Sequence, residues 1–407
     1  MGEKRCMCAK SRLASRSFLA ITLTSLGFWL STSIYMPVLP LLMRSYGYSM
    51  VDIGLVFLAR SVGFAFFEPL TGWLYDRIGP RKIPILATFV GVFAVLLYSV
   101  ARELHEFMAV SFLCAAVGAG ISSPTRAAVA RVTSKSQRGR GYGMYMSVTS
   151  MGRIGGPPLG GYLAQAVSYK APFYASSIVM IVNFLVALKL PKEEEIQIET
   201  SVPHRSSSSK TAHIKLRTVL TAGFILLLLL RSSSVFNMHF NSTILPVYAK
   251  ENPRIMATET EIGTMIGLMA MVTTVSMMLL GGLIDRFGRK KLIVLGTLLC
   301  GFTFFGFVAV GSLAQVFLAV AVLAVGEAAL NLGLIVFLMD NTPSSRYGAA
   351  MGLYGLSEDI GGMASSLLFG FIYDGWGVAP VLYVLTINML LAASVAFASL
   401  READRQS

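Results

Sequence analysis

Apolar stretches recur along the whole chain, and each is long enough for a helix to cross a lipid bilayer. Of the residues, 55% are hydrophobic and only 14% are charged, which is typical of a membrane protein with many spans and argues against a soluble enzyme. We therefore predict an all-α membrane protein with twelve transmembrane helices, six in each half of the 407 residues. The predicted spans are 17–41, 52–75, 83–101, 106–130, 141–164, 171–190, 217–247, 260–284, 291–311, 314–338, 348–373 and 378–399.

The positive charges of the chain are unequally distributed between the two sides of the predicted membrane. With both termini inside, the outer segments hold only Arg44, Arg102, Lys170, Lys250 and Arg254. This asymmetry follows the positive-inside rule, so we predict a multi-pass protein of the cytoplasmic membrane with both termini in the cytoplasm. The net charge of +13 then belongs to the inner membrane surface and does not indicate nucleic-acid binding.

A polar stretch in the middle of the chain separates the two halves. Residues 191–216 contain a run of glutamates and a run of serines, which predicts a flexible cytoplasmic linker. The predicted organisation is a basic cytoplasmic tail (1–16), an N-terminal six-helix bundle (17–190), the linker (191–216), a C-terminal six-helix bundle (217–399) and a cytoplasmic tail (400–407).

A short loop rich in glycine and charge occurs twice, after the second span and after the eighth. Asp76 of the first copy and Asp285 of the second are 209 residues apart, close to half the chain, which indicates an internal duplication. The repeated positions are Gly72, Asp76, Arg77, Gly79 and Arg81 in the first copy, and Gly281, Asp285, Arg286, Gly288 and Lys290 in the second.

With this duplicated loop and two six-span halves, the chain resembles the major facilitator superfamily over nearly its whole length. The resemblance implies two pseudo-symmetric bundles around a central cavity that opens alternately to each side of the membrane. In this interpretation Gly72 and Gly281 permit close helix approach, and Asp76 lies near the positive N-terminal end of a helix in the other bundle as a latch. The alternative is that the loops are only topology-setting charge and a tight turn.

The fifth span resembles the antiporter motif of the drug:proton antiporter branch of the same family. The matching positions are Gly143, Gly152, Gly156, Pro157, Gly160 and Gly161. We expect the glycines to form a smooth face for close packing against a helix of the other half, although glycine-rich faces are also common packing devices. One departure from the family is Arg131, which replaces the acid at the inner end of the fourth span, whereas Asp340 keeps that acid in the second half.

Several charged residues fall inside predicted spans, where they are costly unless they pair or face a cavity. They are Arg60, Glu68, Arg126, Arg153, Arg231, Glu327, Glu358 and Asp359. We predict a structural pair between Glu68 and Arg126. Alignment of the two halves puts Arg153 at the position that corresponds to Asp359, with Glu358 adjacent.

The seventh and tenth spans, which line the cavity in this family, carry the strongest candidates for a functional site. Arg231, Ser234, Met238 and Asn241 fall on one helical face of the seventh span, and Glu327 and Asn331 are one turn apart in the tenth. A carboxyl group in low-dielectric surroundings can load and release a proton, so Glu327 is a candidate proton carrier. The alternative is a permanent salt bridge between Glu327 and Arg231.

These observations predict a proton-coupled exporter of small amphipathic compounds. The main alternative is uptake of an organic anion with protons, with Arg231 or Arg126 holding the carboxylate. An intramembrane enzyme or a non-transporting receptor is disfavoured because the spans contain no catalytic constellation. We predict no metal and no cofactor other than the coupling proton, and a monomer whose partners are the lipid bilayer and a small-molecule substrate.

Overall fold

The structure, a computed structural model, describes residues 16–79, 81–133, 138–191, 222–342 and 347–400, and within these ranges it contains helices and no strand. The helices of the first half are α1 (Arg16–Tyr35), α2 (Leu39–Ser45), α3 (Met50–Ile78), α4 (Lys82–Val100), α5 (Leu104–Val132), α6 (Arg138–Ala166) and α7 (Ala171–Ala187). Those of the second half are α8 (Ala222–His239), a π-helix (Phe240–Ile244), α9 (Leu245–Glu251), α10 (Glu259–Phe287), α11 (Arg289–Phe307), α12 (Leu313–Asp340), α13 (Tyr347–Trp376) and α14 (Val378–Ser399).

The predicted all-α fold is confirmed, with one helical segment at each of the twelve predicted spans. The first span consists of α1 and α2, and the seventh consists of α8, the π-helix and α9. Among the described residues, nine segments are long and apolar enough to cross a membrane by length and composition, and α7 is a shorter apolar helix. The remaining two, α6 and α13, are diluted by glycine and polar residues, which lowers their hydropathy.

Proline explains the two interruptions of these spans, because it has no backbone N–H to donate to the preceding helical turn. Pro37 lies in the turn between α1 and α2, and Pro246 lies at the start of α9. The turn just before Pro246 widens into the π-helix, which contains Asn241. Such short π segments are frequent at functional sites.

The duplicated loops share a backbone conformation that requires glycine. Gly79 and Gly288 have φ angles of +92° and +86°, in a region that other residues rarely adopt. A Cβ atom at Gly72 or Gly281, by contrast, would meet no other atom within 4 Å. The close helix approach predicted at Gly72 and Gly281 is therefore not made within their own units.

The latch predicted at Asp76 stays a prediction. The structure describes no side chain at four positions that bear on it, which are Asp76, Asp285, Arg286 and Arg131.

The chain divides into two compact units. The first contains Met1–Leu42 and Ala59–Ser208, and the second contains Met43–Leu58 and Ser209–Ser407. This division differs from the predicted bundles in one place, because residues 43–58 belong to the second unit. Part of the reason is hydrogen bonding: Asp374 accepts from the backbone N–H groups of Met50 at 3.0 Å and Val51 at 2.8 Å.

The glycines of the fifth span pack against α1, inside the first unit. A Cβ atom added at Gly152 would lie 2.7 Å from the backbone nitrogen of Leu30, and one at Gly156 would lie 2.6 Å from Cβ of Ser33. At Gly160 it would collide with the carbonyl oxygen of Ile34. The expectation that this glycine face packs against a helix of the other half is therefore wrong for these three positions, because α1 of the same unit occupies it.

Candidate functional site

A polar cluster lies inside the second unit, where α8 and the π-helix meet α12 and α13. Arg231 of α8 is 9% exposed and Glu327 of α12 is 5% exposed. Charged side chains this deeply buried in apolar spans need partners, and the partners define the chemistry of the site.

Arg231 pairs with Glu358. Its Nη2 donates to Oε2 of Glu358 at 2.7 Å, and its Nη1 donates to the side-chain oxygen of Asn331. The guanidinium carbon also lies 4.9 Å from the centre of the Tyr354 ring. The predicted salt bridge between Arg231 and Glu327 is therefore wrong for this structure, because Glu358 and Asn331 already bind the guanidinium group.

Glu327 instead accepts a hydrogen bond from a neutral amide. The Nδ2 of Asn241, in the π-helix, donates to Oε1 of Glu327 at 2.9 Å. No Lys, Arg or His side chain that the structure describes makes an ion pair with Glu327. Glu327 is thus a buried carboxyl group without a described counter-charge.

Asn331 connects the two parts of the cluster. Its Nδ2 donates to the backbone oxygen of Glu327 at 2.9 Å. Its Oδ1 accepts from Arg231 and, at 3.4 Å, from the hydroxyl of Ser234. A change at the Arg231–Glu358 pair can therefore reach the turn of α12 that carries Glu327 through one side chain.

Two polar atoms of the cluster have no hydrogen-bond partner. Nε of Arg231 and Oδ1 of Asn241 are both buried and unpaired among the described residues. A buried polar atom without a partner is costly, so such atoms are expected to bind a ligand, a water molecule or a proton-bearing group at some stage of function. No group of three or more potential metal ligands occurs among the described residues.

The other charged residues that were predicted inside spans lie outside this polar cluster. Arg126 forms the predicted pair with Glu68, at 3.1 Å between Nη2 and Oε1. The guanidinium carbon of Arg153 lies 3.6 Å from the centre of the Trp29 ring, within the first unit. Asp359 belongs to the second unit, so its predicted correspondence with Arg153 stays a sequence comparison.

The described basic residues of the duplicated loops contact their own unit. Arg77 lies over the ring of Trp73 at 4.1 Å, and Lys290 lies 5.2 Å from the centre of the Phe397 ring. Nη2 of Arg81 donates to the carbonyl oxygen of Leu188 at 2.7 Å. These contacts fit the tight-turn interpretation and leave the latch untested.

The acid that the second half retains has a partner. Nε of Arg289 donates to Oδ2 of Asp340 at 2.6 Å. The corresponding positions of the first half are Pro80 and Arg131, so both members of the pair differ there.

Sequence reasoning missed a second polar network beside the cluster. The hydroxyl of Ser233 donates to Asn388 at 3.0 Å, and Asn388 donates to the side-chain oxygen of Asn237 at 3.3 Å. An asparagine in the apolar twelfth span is the signal that could have identified it. The role of Tyr354 had no such signal, because tyrosine is common in membrane spans.

Helices long enough to cross a membrane, with buried charges between them, define a polytopic membrane protein. A family model described as Major Facilitator Superfamily matches residues 21–253 and 227–407. The chain belongs to this family, and it is a transporter, not an enzyme.

Similar proteins extend this result. The chain is 22% identical over 367 residues to an uncharacterized MFS-type transporter of Methanocaldococcus jannaschii, a match that covers 89% of the chain and 93% of that protein. It is 24% identical over 163 residues to the quinolone resistance protein NorA of Staphylococcus aureus, which covers 40% of the chain and 42% of NorA.

Solved structures share the fold at low sequence identity. A bacterial homolog of the human lysosomal transporter Spinster, in an inward-facing and occupied conformation, aligns with a TM-score of 0.75 at 15% identity, over 93% of the chain and 95% of the homolog. A variant of the nucleoside transporter NupG aligns with a TM-score of 0.74 at 13% identity, over 95% of the chain and all of that protein.

Proposed function

We propose that this transporter exports small amphipathic compounds in exchange for protons, and that Glu327 carries the proton. The observation that carries the proposal is the environment of Glu327, which is buried, hydrogen-bonded to Asn241 and without a described cation. The transport cycle would alternate access to this carboxyl group between the two sides of the membrane.

The physical reason is the cost of charge in apolar surroundings. An ionised carboxylate buried without a cation is strongly disfavoured, so the closed site favours Glu327 as the neutral acid. When water reaches the site, hydration stabilises the ionised carboxylate and Glu327 releases its proton. Proton release is thereby coupled to the opening of the site.

Asn241 suits both protonation states of Glu327. An amide carries donors on its nitrogen and acceptor capacity on its oxygen. Nδ2 donates to the carboxyl group in this structure, whereas the unpaired Oδ1 of Asn241 can accept from the protonated acid if the amide turns over. Protonation of Glu327 then changes the direction of one hydrogen bond without breaking the contact.

The direction of transport has separate support. The fifth span resembles the antiporter motif, and part of the chain is similar to a protein named for quinolone resistance. Three glycines of the motif pack on α1 inside the first unit and so do not take the expected packing role between halves, but the resemblance itself remains. Export across the cytoplasmic membrane, with both termini inside, is the arrangement we propose.

The test is proton movement that depends on substrate. Purified protein is reconstituted into vesicles that enclose a pH-sensitive dye, and norfloxacin and ethidium are added as amphipathic probes. We expect that an imposed pH gradient drives uphill accumulation of a probe and that a probe gradient moves protons in the opposite direction. Flux of both probes that is indifferent to the pH gradient would contradict proton coupling.

The alternative function, uptake of an organic anion, required Arg231 or Arg126 to hold the carboxylate of the substrate. Arg231 is bound to Glu358, and Arg126 is bound to Glu68, so a carboxylate already neutralises each of these arginines. A substrate anion would have to displace a carboxylate at either place, which makes both weak sites for an anion.

A further inference from the structure

Arg60 differs from Arg126 and Arg231, the arginines that form ion pairs inside the spans. Arg60 lies in α3, within the apolar segment Met50–Tyr75. Its Nη1 donates to the hydroxyl oxygen of Tyr35 at 3.3 Å, and its guanidinium carbon lies 5.3 Å from the centre of the Phe64 ring. The side chains that act on its charge, those of Tyr35, Tyr98 and Cys114, are neutral at neutral pH.

Two other arginines inside the spans differ from Arg60 in having a carboxylate partner. Arg126 and Arg231 each have a carboxylate within 3.1 Å, whereas no described carboxylate forms an ion pair with Arg60. Arginine keeps its charge in proteins and has five N–H donors. Arg60 uses one of them on Tyr35, and its side chain is half-buried.

The wall beside Arg60 consists of packed aromatic rings. Tyr35 is 2% exposed, and its ring centre lies 5.5 Å from that of Tyr98 and 5.7 Å from that of Phe173. The hydroxyl of Tyr98 is itself hydrogen-bonded to Ser111 at 2.9 Å. This packed group of rings fixes the Tyr35 hydroxyl and, through it, one side of the guanidinium group.

The same face of α3 also carries an apolar surface. Phe64 is one helical turn from Arg60 and is half-buried. A ligand that placed an oxyanion against Arg60 could lay an apolar group on the Phe64 ring. The two features are adjacent and of opposite character, as an amphipathic ligand requires.

We propose that Arg60, supported by Tyr35, is a binding site for the carboxylate or phosphate of an amphipathic anion whose apolar part packs on Phe64. The planar guanidinium group matches such oxyanions through paired hydrogen bonds. This inference rests on the proposed transport of amphipathic compounds and predicts that anions are among them. It is separable from proton coupling, because binding at equilibrium needs neither a gradient nor Glu327.

The test compares matched acids, amides and amines. Full-length protein in phosphatidylcholine nanodiscs is titrated calorimetrically with 4-phenylbutyrate, phenyl phosphate, 4-phenylbutanamide and 4-phenylbutylamine. We expect the two acids to bind more tightly than the amide and the amine. Arg60→Gln should weaken acid binding by about tenfold or more and leave amide binding unchanged, since one charge-assisted contact is lost.

The control is Arg140→Gln, which removes an equal charge from an exposed position of α6. It should leave the preference for acids intact. A purely structural role for Arg60 would change the affinity for all probes together and keep the ratio of acid to amide constant, which would overturn the proposal. So would a wild-type protein that shows no preference for the acids.

Two further variants keep the proposal testable if Arg60→Gln does not fold. Arg60→Lys keeps the charge but loses the planar donor pair, and Tyr35→Phe removes the supporting hydroxyl. Unchanged acid affinity in both variants would overturn the proposal. Addition of phosphatidylglycerol to the nanodiscs distinguishes the sources of the anion: competition with 4-phenylbutyrate identifies a lipid headgroup, and lack of competition identifies a soluble anion.

Discussion

Arg231 forms its ion pair with Glu358, at 2.7 Å between Nη2 and Oε2, although Glu327 is the deeply buried acid of the same cluster. The arrangement separates two roles that a single Arg231–Glu327 bridge would have merged. Glu358 balances the charge of the buried arginine, and in the proposed function Glu327 is the carboxyl group that changes its protonation state.

The first prediction concerns Glu327. Glu327→Gln keeps the size of the side chain and its contact with Asn241, but the amide cannot bind a proton. We expect accumulation driven by a pH gradient to be lost, while exchange of labelled for unlabelled probe without a gradient survives. Vesicles that carry the mutant and still accumulate the probe uphill would exclude Glu327 as the carrier.

The second prediction concerns Glu358. Glu358→Gln leaves the charge of Arg231 buried without a carboxylate, and we expect the free energy of unfolding to fall by about 2 kcal/mol, because Glu358 itself is half-exposed. The double variant Arg231→Gln/Glu358→Gln should recover part of this loss, since no unpaired charge remains. Thermal unfolding of the purified variants measures both values. Equal stability of Glu358→Gln and the wild type would show that the pair contributes nothing.

The third prediction concerns the glycine face of α6. Gly160→Ala places a methyl group against the carbonyl oxygen of Ile34, and we expect it to destabilise the protein by about 1–3 kcal/mol. The matched control is Gly155→Ala on the same helix, where the added methyl group meets nothing within 4 Å and the gain in helix propensity applies. Thermal unfolding and expression level check both variants. If the two behave alike, the packing of α6 on α1 is not the reason for these glycines.

The fourth prediction concerns the segment 43–58 of the second unit. Asp374 accepts from two backbone N–H groups at the start of α3, where the helix dipole favours a negative charge. Asp374→Asn should therefore loosen this segment and speed hydrogen exchange of the Met50 and Val51 amides by about tenfold.

A second contact of the same segment offers a comparison. Arg44 binds both carboxylate oxygens of Glu251, at 2.6 and 3.0 Å. Both side chains are partly exposed, so Glu251→Gln should have the smaller effect on exchange. Mass spectrometry of exchange in peptides that cover residues 43–58 checks both variants. Exchange that is slower in Asp374→Asn than in the wild type would contradict the assigned role.

The sequence by itself determined the twelve helical spans and the glycines of the duplicated turns. The length of a hydrophobic span is a local property, because each helix must cross the apolar core of the bilayer and pair its own backbone groups. The repeated glycine is local as well, since the positive φ angles of Gly79 and Gly288 belong to the turn. The pair of Arg126 with Glu68 was also predictable, from the depths of the two residues in their spans.

Only the tertiary structure decided which residues meet inside the second unit and what the glycine face of α6 contacts. Helical periodicity places Arg231 and Asn241 on one face, but it does not specify which neighbouring helix lies opposite or at what height. Arg231 pairs with Glu358 because α13 packs against α8 and brings Glu358 within hydrogen-bond distance. Likewise, the glycine face of α6 could pack against any helix. In the structure it packs against α1 of the first unit.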